Sequence, residues 1–145
     1  MFSRIHGWIL FTADVSTAFL QGKRSDRGIS VLLPAEACRM LGYAPGTRMK
    51  LLKSMYGLSD APRLWWEEAT DRMVSCGFVI HPLDPCLFLS YRVESNDMVV
   101  FDGAIGLHVD DMLGGGSNKE GQTCFATRVK AVSYTHLTLP TKVTE

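Results

Sequence analysis

Two adjacent acids, Asp110 and Asp111, stand at the end of an apolar run, Gly106-Leu107-His108-Val109, and after Met112 and Leu113 come Gly114, Gly115 and Gly116. No other feature of the chain restricts its local fold as strongly. Successive side chains of a strand point to opposite faces, so a flat strand cannot present both carboxylates on one side. A tight turn removes the conflict, and glycines, which accept positive φ, are the residues expected to supply it immediately after the acids. The expected result is a hairpin tip carrying two carboxylates within reach of a divalent cation. The ordinary alternative is a solvated turn without a ligand, and the rest of the chain has to decide between them.

A third acid closes another apolar run. Trp8-Ile9-Leu10-Phe11-Thr12-Ala13 reads as a buried strand ending at Asp14, followed by a short helical stretch that Gly22 stops. Asp14 could instead be the N-cap of that helix. Residues 29–33 and 49–55 have strand character, and residues 35–41 can form a short helix. The clearest helix start follows: Ser59 or Asp60 can cap, Pro62 fits the first turn, and Glu67 and Glu68 favour the positive helix end. The helix is expected to run to about Cys76, with Trp65, Ala69, Met73 and Cys76 at core spacing and Gly77 ending it. Trp65 is the expected core anchor, and Trp66 is left for a ligand or domain contact. Beyond Gly77 the texture is β, with strands expected at residues 78–80, from 86 to 91 or 93, at 98–101 and at 104–109.

The chain has 145 residues, enough for one domain with a real core. Fifteen basic residues balance fifteen acidic ones, so no global basic field marks a nucleic-acid binder. The middle is basic, however: residues 21–64 hold eight Lys and Arg against three acids, which suits either a phosphate ligand or a solvated mixed surface. Four cysteines and four histidines are scattered, against a zinc site and in favour of reduced, mostly buried thiols. No apolar run approaches the roughly 20 residues of a membrane span, and no signal peptide is visible.

Four blocks in one order carry a resemblance. Asp14-Val15-Ser16-Thr17-Ala18-Phe19-Leu20-Gln21-Gly22 resembles the first catalytic motif of the reverse transcriptase of copia-type retrotransposons. Leu52-Lys53-Ser54-Met55-Tyr56-Gly57-Leu58, continuing through Ala61-Pro62-Arg63 to Trp65, is similar to its second. Asp84-Pro85-Cys86-Leu87-Phe88 matches a further block, and His108-Val109-Asp110-Asp111-Met112-Leu113 the metal-binding box. The resemblance covers roughly residues 8–116.

It implies an α+β fold: a polymerase palm-like antiparallel sheet with packed helices, incomplete, with fingers and thumb largely missing. The implied function is RNA-directed DNA polymerisation, two-metal nucleotidyl transfer that extends a primer on an RNA or DNA template. Asp14, Asp110 and Asp111 would be the catalytic acids and the ligands of two Mg2+ ions, with Mn2+ as a possible substitute, because hard cations stabilise charge on the attacking and leaving oxygens. Phe19 would lie beside the sugar and exclude a 2'-hydroxyl, although burial in the core is an equally ordinary fate for a Phe. Tyr56, Gly57 and Pro62 would line the nucleotide site. His108, Lys53 and Arg63 would meet template-primer. The other implied partners are dNTP and the integrase and RNase H parts of a polyprotein, without a membrane. Location would be intracellular, in a cytoplasmic virus-like particle or the nucleus, and not secreted.

Two departures stand out. His108 replaces an aromatic residue, and Ser59-Asp60 replaces Lys-Gln, which puts a negative charge near a polyanion. Either would fit a decayed copy, a non-catalytic remnant that at most binds nucleic acid. An unrelated metal-dependent phosphotransferase or nuclease could also use such acids. Residues 1–131 are therefore read as a partial palm domain with weak or no activity alone. Residues 132–145 are read as a non-native tail, because residues 132–141 can be encoded by a sequencing-library adapter.

Overall fold

A computed structural model describes residues 8–117 and Arg128; the tail at residues 132–145 and Cys124 lie outside the described residues. In chain order the elements are β1 (Ile9–Asp14), α1 (Ala18–Gln21), β2 (Ser30–Leu32), α2 (Ala35–Leu41), β3 (Arg48–Lys50), α3 (Ala61–Ser75), β4 (Val79–His81), β5 (Asp84–Val93), β6 (Val99–His108) and β7 (Asp111–Gly116). The protein is mixed α and β, with antiparallel sheets and few helices. β1-β7-β6-β5-β4 form one sheet, and β2 and β3 a separate ribbon.

The period-2 alternation of apolar residues becomes rows across the large sheet. Phe11, Gly114, Ile105, Phe88 and Ile80 are successive partners in one row, and Ala13, Met112 and Leu107 in the next. These side chains meet Trp65, Ala69 and Met73 of α3 in a single core. Burying each large member stabilises the fold by about 1.5–3 kcal/mol. β1 is thus buried on one face only, which corrects the expectation of a wholly buried strand: Phe11 and Ala13 point inward, while Leu10, Thr12 and Asp14 are exposed.

α3 runs as expected, with Pro62 in its first turn and Cys76 and Gly77 at its end. Trp65 is buried. Trp66 is half-buried against the core and donates its indole N–H to the Pro85 carbonyl at 3.3 Å, an intrachain tie where a ligand or domain contact was expected. α1 lies close to α3 because Gly22 has no side chain: a Cβ there would fall 3.0 Å from the Trp65 nitrogen. The freed space lets the Lys23 N–H reach the Leu64 carbonyl at 3.1 Å.

Other boundaries differ from the sequence reading. The strand expected over residues 49–55 stops at Lys50, because β2 offers only three residues to pair. The two strands expected within residues 98–109 form one element, β6, which absorbs an irregularity opposite Ser90 and Tyr91. Of the described cysteines, Cys38 is buried and Cys76 and Cys86 are half-buried, all as free thiols.

Candidate active site

Asp14 ends β1 as the direct partner of Asp111, the first residue of β7, and Asp111 is in turn the partner of His108, the last residue of β6. Paired residues share a face, so Asp14, Asp111 and His108 form one exposed row at the end of the sheet. Val109 and Asp110 are the two-residue turn joining β6 to β7. This excludes Asp14 as a helix cap; α1 begins later, with Thr17 at its N-cap.

The turn differs from the expected one. Its positive φ is carried by Val109, at 56°, and not by a glycine. The pattern is that of a two-residue hairpin turn whose first position usually holds Gly. Gly114, Gly115 and Gly116 lie inside β7 instead, so they do not turn the chain after the acids. The reason for Gly114 is close approach: a Cβ would fall 2.6 Å from the Phe11 ring and 2.7 Å from the Ala104 carbonyl oxygen. Two outside bonds hold the turn. The Trp65 indole N–H donates to the Val109 carbonyl, and the Val15 N–H donates to the Asp110 carbonyl at 2.9 Å.

The nucleotide-side candidates form a second group. Phe19, on α1, packs half-buried against the core and meets Tyr56 with ring centroids 4.8 Å apart at 47°. Phe19 is therefore packed in part on the core and in part against an exposed aromatic ring. Gly57 adopts φ 89° in the loop before α3, and Pro62 opens the helix. Lys53 donates to the Gln21 carbonyl at 3.3 Å, and Arg63 pairs with Glu67 one helical turn on. Among the described residues no hydrogen bond or ion pair joins Lys53 or Arg63 to the acids. In the same basic region the Asp71 carboxylate, 2.6 Å from Lys23, holds that ammonium above its ordinary pKa.

Asp60 is half-buried, and its carboxylate finds its partners within the chain. It accepts from Ser25 and Ser54 hydroxyls, each at 3.2 Å, and pairs with Arg27 at 3.3 Å. Burial pushes its carboxyl up, but its own backbone N–H, Ser54, Ser25 and Arg27 outweigh that, and its pKa lies below the usual carboxylate value. The negative charge that departs from the resembled motif is thus neutralised within the chain. It pins the segment after α1 to the loop before α3. Its side chain makes no capping bond to the helix.

Asp14, Asp110 and Asp111 make no side-chain hydrogen bond or ion pair among the described residues. As hard oxygen donors near one end of one sheet, they match a hard divalent cation in donor chemistry. The described residues hold no group of three or more His, Cys, Asp or Glu side chains already gathered for a metal. Beside Asp111 and His108 a groove of about 720 Å3, lined also by Thr12, Cys86, Leu87 and Leu113, opens on the exposed face.

The sequence profile of the family described as "Reverse transcriptase (RNA-dependent DNA polymerase)" matches residues 1–133. The chain belongs to the reverse transcriptase family. Among its relatives are "Retrovirus-related Pol polyprotein from transposon RE1" of Arabidopsis thaliana, 33% identical, and the counterpart from transposon TNT 1-94 of Nicotiana tabacum, 35% identical. The transposon RE2 protein of Arabidopsis thaliana is 31% identical. Each match covers 106 residues, 73% of this chain and 7% of the relative, so this reverse transcriptase segment spans a small part of the Pol polyproteins it matches. These are copia-type transposons, as the motifs implied. No solved structure matches. Family membership removes the unrelated phosphotransferase or nuclease reading.

Sequence reasoning missed Val109, Ser54 and Arg27, and placed Trp65 in the core without its hydrogen bond. A buried indole N–H needs an acceptor, which was the available signal for Trp65. The partners of Ser54 and Arg27 depend on a non-local approach that no local pattern encodes.

Proposed function

We propose that this reverse transcriptase segment is the palm-like part of an RNA-directed DNA polymerase and carries the acids of two-metal nucleotidyl transfer. The observation that carries the reading is the cross-strand pairing of Asp14 with Asp111, with Asp110 in the adjoining turn and all three carboxylates unpaired among the described residues. Asp14, Asp110 and Asp111 would hold Mg2+, which, when bound, stabilises negative charge on the attacking and leaving oxygens. The chain's own residues do the positioning. The row from Asp14 to His108 fixes where the acids stand, and the groove beside it offers the end of a primer a flat, partly apolar surface. Phe19 and Tyr56 bound the nucleotide site, and Lys53 and Arg63 supply positive charge toward template-primer phosphates.

The substrates are a dNTP and an RNA or DNA template-primer, and the remaining partners are other parts of the polyprotein, integrase and RNase H. We read residues 1–131 as the domain proper and the following residues as adapter-derived, a reading that resequencing the genomic locus tests. A full-length Pol polyprotein carrying this segment is expected to extend a primer in Mg2+, and Asp110→Asn to abolish extension. Persistent extension by that variant would refute the assignment of the acids. A polyprotein that binds template-primer but never extends it would establish the non-catalytic remnant instead.

A further inference from the structure

Val109 combines a β-branched side chain with φ 56°, a region such residues avoid. A conformation of this kind persists only where its surroundings over-determine it. Here the over-determination comes from outside the hairpin, with one bond to each carbonyl of the turn. Trp65 donates its indole N–H to Val109 from the helix, and Val15 donates its amide to Asp110 from the strand that carries Asp14. The Trp65 ring is 2% exposed and wedged in the core between sheet and helix, so its N–H is a fixed donor.

We propose that Trp65 is a positioning residue: its indole N–H fixes the backbone of the Val109-Asp110 turn, and through it the place from which Asp110 and Asp111 meet Asp14. Trp65 touches no reacting atom. The inference rests on the cation-site reading only for its consequence, since the hold on the turn exists without metal.

The test uses the whole chain and Trp65→Phe, which keeps an aromatic ring and removes the donor. Hydrogen exchange at the Val15 amide, whose acceptor is the Asp110 carbonyl, is expected to speed up roughly five- to tenfold, the weight of one buried hydrogen bond. Amides of the β5–β6 ladder are expected to keep their rates. Unchanged exchange at Val15, or equal speeding everywhere, overturns the proposal, because a merely structural role loosens the whole core. In a parallel Mn2+ titration, Trp65→Phe is expected to bind several-fold more weakly than the native chain, and unchanged affinity in a variant with altered exchange also overturns the proposal. If the native chain binds no Mn2+, or Asp110→Asn binds it equally, the cation-site reading fails, and the exchange result alone decides the role of Trp65. Should Trp65→Phe not fold, the native chain supplies the reading. The Trp65 indole proton and the Val15 amide must then exchange through one shared opening with matching denaturant dependence, and divergence between them overturns the proposal.

Discussion

Asp14 and Asp111 face each other as partners across β1 and β7, on the exposed side of the sheet. Like charges placed directly opposite one another in an antiparallel pair are destabilising. The site therefore carries a local cost that a bound cation would remove. Asp111→Asn is expected to raise the melting temperature in EDTA and to reduce the additional stabilisation given by Mn2+. Thermal unfolding of both chains with and without Mn2+ checks this. A variant less stable than the native chain in EDTA would mean that the pair is not under repulsion.

The glycines of β7 make a separate prediction about packing. Gly114→Ala has to displace both the Phe11 ring and the Ala104 carbonyl, and is expected to cost about 1–3 kcal/mol, the usual range for overpacking. Gly28→Ala meets nothing within 4 Å and is expected to be nearly neutral. Denaturant unfolding of the two variants compares them directly. Equal effects would show that the sheet can yield at Gly114.

What was legible in the sequence lies in short-range pattern. Asp14 and the Asp110-Asp111 pair are visible because each ends an apolar run, and α3 because Pro62 opens it and Gly77 follows it. Residues 108–111 form the expected hairpin, but its turn falls at Val109 and Asp110 and not at the glycines. Three glycines are the expected turn formers, and only the register with Phe11 reveals that Gly114 is needed for packing. The sharing of strain at Val109 with Trp65, 44 positions away, depends on how the helix docks on the sheet. Asp60 gave the same difficulty: its charge was readable, but its burial against Ser25, Arg27 and Ser54 was not. Asp102 belongs with it, as a buried acid in β6 paired with Arg92 and Arg128 that no local signal distinguished from a surface aspartate.

Asp60 predicts a pH dependence. Its carboxyl has a lower pKa in the folded chain than the usual value of about 3.8. A group depressed on folding contributes stability above its unfolded pKa and loses that contribution as pH falls through the folded value. Asp60→Asn is expected to be less stable than the native chain at neutral pH, with the difference shrinking below about pH 4. Urea midpoints measured from pH 7 to pH 2 check the sign. A gap between the two chains that stays constant across that range would place the effect in packing and not in ionisation.

Phe19 and Tyr56 predict a selectivity effect. The Phe19 ring is held from two sides, by the core beneath it and by Tyr56 at 4.8 Å. A ring fixed in this way can exclude a 2'-hydroxyl, whereas a loosely held ring would swing aside. In a full-length Pol polyprotein, Phe19→Ala is expected to reduce the preference for dNTP over rNTP by roughly 10- to 100-fold, the range available from a steric difference of this size. Tyr56→Ala keeps the Phe19 ring but removes one of its two supports, so a smaller loss in the same direction is expected. Competing dNTP and rNTP incorporation on one primer-template separates the cases. If Phe19→Ala leaves the preference intact while primer extension continues, Phe19 is a core residue alone, and the contact with Tyr56 serves stability.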